Sequence, residues 1–322
     1  MKNKVMETLQ GSKHFELTRV ADGVYAALSV PGTGSVGNAA IIDLGDSTLI
    51  VDSFTTIQAA EDLKTAAEFL TGNSVSYVIN THWHSDHTSG NQVFAPKAHI
   101  ISTSTTREIM ATFGKDRISQ QLVDPVTINR ALNEIERKIA QETDQMLQKE
   151  MQWELASDRE YMKILPQLVY TLPTLTFDHQ LCIYGSLRKV HVITYGGGHT
   201  ESDAFVYLPD DKIAVMGDLV LAKHQPVFNN ANPSEWLNIL EKVQQLDIET
   251  IIPGHGEVCS KKEIVEVQEY IKDIMLLVEE TVQKNGSLDN ISVPKAYQNW
   301  YFSTYFKTNV QKVYDLLTKK SQ

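Results

Sequence analysis

Four side chains of types that commonly bind metal ions lie within six positions of one another. The stretch "VINTHWHSDHTSG", residues 78–90, contains His82, His84, Asp86 and His87. An apolar run typical of a buried strand comes directly before them. With histidine at about one residue in thirty, a chance match to His-x-His-x-Asp-His arises on the order of once in a thousand such chains. The pattern therefore predicts a metal site at the end of a strand.

The spacing within this run predicts two metal ions rather than one. In an extended segment, side chains two positions apart face the same way, so His82 and His84 can reach one ion together. Asp86 and His87 are offset from that pair and are better placed for a second ion. A catalytic zinc ion needs three protein ligands and an open position, so other parts of the chain must supply further ligands.

Three later turns offer such ligands. His199 follows three glycines in "YGGGHTESD", Asp218 ends a strand in "AVMGDLV", and His255 lies in the Pro-Gly turn of "IIPGHGE". Each residue ends an apolar strand at a glycine-containing turn, where the edge of a sheet presents side chains to a cleft. The single histidines His99 and His191 instead have the setting of surface or hydrogen-bonded residues.

The surrounding segments predict a layered α/β architecture. Residues 15–53 read as strands broken by turns, residues 58–70 carry apolar side chains at helical spacing, and residues 77–80 resume a strand. Strand patterns return after Leu172, followed by a helix over about 233–246. Two strand-rich halves with helices predict two sheets stacked face to face with helices outside, because this arrangement buries both sheets.

We interpret the whole chain, residues 1–322, as one domain with two helical additions. Residues 103–172 carry apolar side chains at helical intervals among many Glu, Lys and Gln, which predicts a helical insertion between the two ligand-bearing halves. Residues 261–320 predict a helical tail with a break at "NGSLDN".

Both helical additions contain aromatic side chains whose roles have more than one interpretation. The insertion could cover the cleft and line it with Met151, Trp153 and Tyr161, or these residues could pack the insertion onto the sandwich. The stretch "WYFSTYF", residues 300–306, could serve core packing, a homodimer contact or a substrate wall. His224 could approach a substrate or lie at the surface.

The composition argues against nucleic acid and membrane partners. The net charge of −11 and pI near 5.4 repel phosphate and anionic lipid, and the nearest candidate for a basic patch, Lys261–Lys262, is two residues long. The first 15 residues lack the apolar stretch of a secretory signal, which favours a cytoplasmic location. Cys182 and Cys259 are too few for a disulfide framework and are interpreted as buried thiols.

The motifs, taken in order, resemble a known family. The runs "THWHSDH", "GGGHT", "MGD" and "PGHG", with "VDS" upstream at Asp52, are similar to the full motif set of the metallo-β-lactamase superfamily. The resemblance covers residues 24–256 apart from the insertion. It implies an α/β (α+β) fold of the αββα type, in which two mixed β-sheets are packed together with helices outside.

The resemblance also implies a ligand set for two divalent metal ions. One metal would be held by His82, His84 and His199, and the other by Asp86, His87 and His255, with Asp218 bridging the two. Asp52 would support a ligand rather than bind metal, although a turn-forming role is the alternative. Zinc is favoured by the imidazole-rich set, and manganese or iron would also fit.

This ligand set predicts a hydrolase. Two ions can share a water molecule, lower its pKa and present a metal-bridging hydroxide to a carbonyl group of a small-molecule acyl substrate. Asp86 is the candidate catalytic residue, because it could orient the water and pass its proton to the leaving group. Cleavage of an ester, lactone or thioester is expected.

Several alternatives stay open. Amide hydrolysis of the β-lactamase type is disfavoured because true β-lactamases usually lack an aspartate at the position of Asp218. Quorum-signal lactonases of the family carry a tyrosine where this chain has Leu221, and the basic segment of glyoxalase-like thioesterases is missing. A di-iron redox enzyme would usually have glutamate in place of His84 and a flavin domain. A superfamily nuclease or a non-catalytic metal-binding module are the remaining rivals.

Overall fold

A computed structural model gives the structure of residues 7–95, 97–123 and 125–319. The first half of the chain forms an eight-stranded mixed sheet whose strands are adjacent in chain order. The strands are β1 (Glu7–Leu9), β2 (Phe15–Ala21), β3 (Val24–Ser29), β4 (Ala39–Asp43), β5 (Thr48–Val51), β6 (Val75–Ile79), β7 (His99–Thr103) and β8 (Leu175–Phe177). Neighbours are antiparallel from β1 to β5 and parallel from β5 to β8.

The second half forms a five-stranded mixed sheet. Its strands are β9 (Gln180–Tyr184), β10 (Lys189–Gly196), β11 (Asp203–Leu208), β12 (Ile213–Val215) and β13 (Thr250–Ile252). Strands β9 to β12 are antiparallel, and β13 adds to β12 in parallel. All six residues of β11 are buried, which explains its continuous apolar sequence, because a central strand is covered on both faces.

Helices cover the outer face of each sheet. The helices in the described part of the chain are α1 (Ile57–Thr71), α2 (Ser85–Thr88), α3 (Ser104–Ile109), α4 (Lys115–Val123), α5 (Pro125–Gln141), α6 (Gln145–Ile164), α7 (Pro233–Gln244), α8 (Lys261–Gln283) and α9 (Tyr305–Lys319). One apolar cluster lies between the sheets, a second packs α1 onto the first sheet, and a third packs α7, α8 and α9 onto the second sheet. The predicted αββα sandwich is therefore confirmed.

Local sequence signals explain where the main outer helices begin. The Thr56 side chain caps α1 by accepting a hydrogen bond from the Ala59 amide. Helix α1 ends at Gly72, whose φ of 70° favours glycine. Ser260 and Glu263 form a reciprocal capping box at the start of α8.

The segment predicted as a helical insertion contains α3, a π-helical turn at Met110–Gly114, and helices α4 to α6. Helices α5 and α6 pack together around Leu132, Ile139 and Leu155. Met151 packs against this cluster, and the Tyr161 hydroxyl donates to Gln121, so both side chains take part in packing within the insertion. A lid role for Met151, Trp153 and Tyr161 stays a prediction.

The tail contains α8, two short 3-10 turns and α9, and the break at "NGSLDN" includes the turn Leu288–Asn290. Both cysteines are free and only partly buried, so the prediction of buried thiols was too strong. Among the described residues, no helix combines the length and apolar character needed to cross a bilayer.

Candidate metal centre

The seven predicted ligands lie together at one edge of the sandwich, where four strands end. His82 follows β6, His199 follows β10, Asp218 follows β12 and His255 follows β13. Helix α2 begins just after His84 and contains Asp86 and His87. Since the strands approach this edge from two different sheets, residues up to 173 positions apart in sequence, from His82 to His255, become neighbours.

The first group consists of His82, His84, His199 and Asp218, whose ligand atoms all lie within 4.8 Å of one another. His199 Nε2 is 3.1 Å from His84 Nδ1 and 3.3 Å from Asp218 Oδ2. His82 Nε2 is 3.9 Å from the same Asp218 oxygen. Three imidazole nitrogens and one carboxylate oxygen therefore converge on one point.

The second group consists of Asp86, His87 and His255, again within 4.8 Å. Asp86 Oδ2 lies 3.2 Å from His87 Nε2 and 3.3 Å from His255 Nε2. The other oxygen of Asp218, Oδ1, lies 3.3 Å from His87 Nε2 and 3.4 Å from His255 Nε2. Asp218 thus divides its two carboxylate oxygens between the groups, which is the geometry of a bridging ligand.

The donor atoms are arranged for binding divalent cations rather than for hydrogen bonding to one another. His82 Nε2, His87 Nε2 and Asp218 Oδ1 are buried without a hydrogen bond of good geometry, although the last two are 3.3 Å apart. Buried polar atoms without partners are rare in folded proteins. Two clusters of imidazole nitrogen and carboxylate oxygen suit zinc, iron or manganese, and a cation in each cluster would satisfy these atoms.

Asp52 supports the second group from behind. Its Oδ2 accepts a hydrogen bond of 2.8 Å from His87 Nδ1, and Thr81 donates to the carboxylate through both its amide and its hydroxyl. This bond places a proton on Nδ1, so Nε2 of His87 faces the cluster. Burial acts to lower the pKa of His87, but the Asp86 and Asp218 carboxylates raise it well above its usual value, so a cation binding at Nε2 would displace a proton. Asp52 has a φ of 62°, a conformation uncommon for residues other than glycine, which the surrounding bonds must hold. This is the supporting arrangement that the resemblance implies.

Asp203 holds the turn that carries His199, and sequence reasoning missed it. Its carboxylate accepts hydrogen bonds from the Gly198 amide at 2.7 Å and from the Thr200 amide and hydroxyl. Burial raises the pKa of Asp203 to about 7, and these bonds oppose the rise. The signal was present, because Asp203 closes the quoted "YGGGHTESD" stretch.

Two glycines allow the backbone to approach the cluster. A Cβ atom on Gly254 would lie 2.0 Å from Asp218 Oδ1, and one on Gly37 would lie 2.8 Å from the His87 ring. Either distance is far inside normal contact, so a larger residue would displace a ligand. Gly37 belongs to the loop between β3 and β4, which therefore borders the metal centre.

The histidines fall into two classes according to the direction in which their pKa values are shifted. Burial lowers the pKa of His82 well below its usual value and lowers that of His199 to about 3, so both imidazoles are neutral. Burial also acts to lower the pKa of His255, but the Asp218 and Asp86 carboxylates raise it to about 10. A cation binding to the second group would therefore displace a proton.

Asp218 and Asp86 stay ionised because neighbouring histidines stabilise their negative charge. Burial acts to raise the pKa of Asp218, but His255 and His87 hold it well below the usual range. The pKa of Asp86 is lowered in the same way, mainly by His87. The cluster thus keeps two buried carboxylates charged, and these are strong ligands for a divalent cation.

Comparison with known proteins agrees with this geometry. A family model described as the metallo-beta-lactamase superfamily matches residues 32–255. The beta-lactamase-like protein 2 homolog of Caenorhabditis elegans is 31% identical over 78 residues, which are 24% of this chain. The match spans only about a quarter, 25%, of that relative's length.

Solved structures share the fold at low sequence identity. VMB-1 superimposes with a TM-score of 0.58 at 20% identity, over 82% of this chain and 99% of that chain. The DIM-1 metallo-beta-lactamase gives a TM-score of 0.56 at 16% identity, with 83% and 99% covered. A metallo-beta-lactamase from Pontibacter korlensis gives 0.54 at 16% identity, with 84% and 100% covered.

The family model covers more than half of the chain, and its range contains all seven clustered side chains. This protein therefore belongs to the metallo-beta-lactamase superfamily.

Proposed function

We propose that this protein hydrolyses an activated acyl bond, in an ester, lactone or thioester, of a small molecule. Family membership and the His/Asp cluster support a metal-dependent hydrolase in general. The single observation behind the finer proposal is that Asp218 offers one oxygen to each of two ligand groups. That arrangement suits two divalent cations, with zinc as the first candidate and manganese or iron as alternatives.

Two such cations, when bound, would supply Lewis acidity that activates water and polarises a substrate carbonyl. The protein contributes the positions of the donors: strand ends hold His82, His199 and His255, and Asp52 fixes the ring of His87. This preorganisation lets the site act without a serine or cysteine nucleophile.

Asp86 is the proposed proton carrier. Its side chain is 18% exposed, against 1% for His82 and His199, so it lies at the open side of the cluster beside His255. Its low pKa keeps it ionised and able to accept a proton from the attacking water. It would then return that proton to the departing oxygen or sulfur of the substrate.

The structure also bears on the leaving group. Leu221, at the position where lactonases of the family carry a tyrosine, is 4% exposed and packs in the core behind the second sheet. A tyrosine contact to a lactone therefore does not arise from that position. Other polar groups must orient the substrate carbonyl.

The test combines metal analysis with a substrate panel. The purified protein should contain about two equivalents of transition metal, measured by elemental analysis, and should cleave thioesters, lactones or aryl esters faster than β-lactams. A chelator should abolish the activity, and zinc, manganese or iron should restore it. Metal-replete protein that cleaves none of these substrates, or cleaves only β-lactams, would disprove the acyl-ester proposal.

Asp86→Asn tests the proton carrier separately. The variant should lose turnover far more than it loses substrate binding, with metal content retained. Equal losses in kcat and in binding would disprove this role.

Other expectations from the sequence remain predictions. These are a small-molecule substrate, a cytoplasmic location, the lack of nucleic acid and membrane partners, and a homodimer through the tail.

A further inference from the structure

A chain of aromatic rings extends outward from the metal centre. The His224 ring centre lies 6.1 Å from that of His255, 5.3 Å from Tyr301 and 5.6 Å from Phe302. Backbone hydrogen bonds hold these segments together, because the Tyr301 amide donates to Lys223 and the Gln225 amide donates to Tyr301. The first rings of this chain are thus fixed beside a candidate metal ligand.

The chain continues into the helical insertion. Phe302 lies 6.3 Å from Tyr305 at the start of α9, and Tyr301 lies 5.8 Å from Trp153 on α6. We call His224, Tyr301, Phe302, Tyr305 and Trp153 the aromatic wall. All five side chains are partly exposed.

The neighbouring aromatic residues show what core packing looks like in the same segment. Trp300 and Phe306 are 3% and 2% exposed, and Trp300 stacks on Tyr270 at 5.5 Å with an interplanar angle of 14°. The stretch "WYFSTYF" therefore serves two purposes, because its outer rings build the core and its inner rings join the aromatic wall. Phe302 has a φ of 62°, a backbone conformation uncommon for residues other than glycine.

The wall also carries polar atoms. The Tyr305 hydroxyl donates to Glu154 Oε1 at 3.4 Å, and burial together with the charges of Glu154 and Asp86 raises the pKa of Tyr305. His224 Nδ1 donates to the Ala222 carbonyl at 2.8 Å, which leaves Nε2 as an acceptor. Tyr305 and His224 can therefore orient a substrate that the rings hold.

We propose that the aromatic wall binds a flat apolar group of the substrate, an aromatic ring in the simplest case, that lies beside the scissile acyl bond. This inference rests on the proposed acyl hydrolase function. Aromatic rings prefer offset or edge contacts with other rings, and the wall offers several such faces next to His255. Continuity with the metal centre places the bound ring within a few bonds of the reacting carbonyl.

Thioesters with matched chemical reactivity test the proposal. The first pair varies the acyl side and compares the ethyl thioester of phenylpropanoic acid with the ethyl thioester of butanoic acid. The second pair varies the leaving group and compares the phenylethyl thioester of acetic acid with the ethyl thioester of acetic acid. The phenyl group is separated from the carbonyl or sulfur in each pair, so intrinsic reactivity is similar. At least one phenyl thioester should show a kcat/KM about tenfold above that of its small counterpart. The pair that shows the difference identifies the acyl or the leaving-group side.

Substitutions in the wall should remove this preference. Tyr301→Ala and Phe302→Ala should each lower the ratio of kcat/KM between the phenyl and the small thioester to about threefold or less. Tyr184→Ala and Phe69→Ala are matched controls, because these rings are 77% and 85% exposed and outside the wall. Should an alanine variant misfold, the leucine variant at the same position keeps bulk and tests ring stacking alone.

A binding measurement separates this inference from the hydrolase proposal. Phenylpropanoate should quench the fluorescence of Trp153 in metal-free protein, and Trp153→Phe should remove that response. Quenching without hydrolysis of any ester, lactone or thioester by metal-loaded protein would support the wall and overturn the proposed function. Hydrolysis with equal kcat/KM for phenyl and small thioesters in both pairs would overturn the wall and keep the function.

Discussion

The metal centre and the aromatic wall are adjacent, yet they are built in different ways. The metal centre stands on strand ends of the sandwich, and hydrogen bonds to the Asp52 and Asp203 carboxylates orient the segments that carry its ligands. The wall combines one segment after β12 with residues from the insertion and the tail, and ring contacts and backbone hydrogen bonds hold it together. The comparison teaches that the sandwich positions the reactive groups, whereas the additions shape what can reach them.

Removing the bridging ligand should produce the largest effect. Asp218→Ala deletes the side chain that offers one oxygen to each group, so activity should fall by more than about a hundredfold, and metal content should drop. Elemental analysis and thioester kinetics measure the two losses. Asp22→Ala, at a 95% exposed side chain, is the control. Full activity in Asp218→Ala would show that the metal centre is not the reactive site.

Changing the support behind the ligand should have an intermediate effect. Asp52→Asn removes the charged carboxylate that accepts the hydrogen bond from His87. Metal affinity should therefore fall by roughly 10- to 100-fold. Competition with a chromophoric chelator measures the affinity, and circular dichroism checks the fold. The phenyl preference of the remaining activity should be unchanged, because the wall is intact. A shift in that preference would contradict the separation of the two regions.

A cavity in the insertion should weaken stability without touching the metal centre. Leu155→Ala removes a 5% exposed side chain from the small cluster between α5 and α6. The free energy of unfolding should fall by about 2 kcal/mol, at the low end for such changes, because a small cluster can partly collapse. Urea denaturation measures the loss, with Leu187→Ala, 66% exposed, as control. Loss of bound metal in this variant would contradict the separation.

The smallest expected effect is a pH dependence of stability that arises from Glu154, which contacts the wall residue Tyr305. Burial raises the pKa of Glu154 to about 7, and Asp158 and Glu150 add to the rise while the bond from Tyr305 opposes it. Since the folded pKa exceeds the unfolded one, the protonated form favours folding, and this stability is lost as the pH rises from about 4.5 through 7.

Glu154→Gln should therefore raise the free energy of unfolding by roughly 1 kcal/mol at about pH 8, allowing for partial solvent screening, and change it little at about pH 4.5. Urea denaturation at both pH values measures the difference. Glu61→Gln, at an exposed position on α1, is the control. A stabilisation that is equal at both pH values would show that ionisation of Glu154 is not its cause.

Much of the metal centre could be predicted from the sequence alone. His82, His84, Asp86 and His87 are close in the chain, so local backbone geometry already places them near one another. The strand patterns and glycine turns before His199, Asp218 and His255 identified the remaining side chains. Which oxygen of Asp218 faces which group could not be predicted, because it depends on how the two sheets are packed.

The wall could not be predicted, for a physical reason. The sequence marked "WYFSTYF" as unusually aromatic but could not separate Trp300 and Phe306, which are buried, from Tyr301 and Phe302, which are partly exposed. Aromatic residues look the same in a core and in a binding site. Only the tertiary structure, which places the tail, the insertion and His224 against one another, decides which rings face the cleft.

By itself, the sequence determined the fold class, the family and the chemical types gathered at the metal centre, because these follow from residue identity, periodicity and short-range spacing. The tertiary structure alone decided the division of Asp218 between two groups, the bonds from Asp52 and Asp203, and the wall that connects His255 to α6. These features depend on contacts between residues far apart in the chain, and such contacts exist only once both sheets and both helical additions have packed.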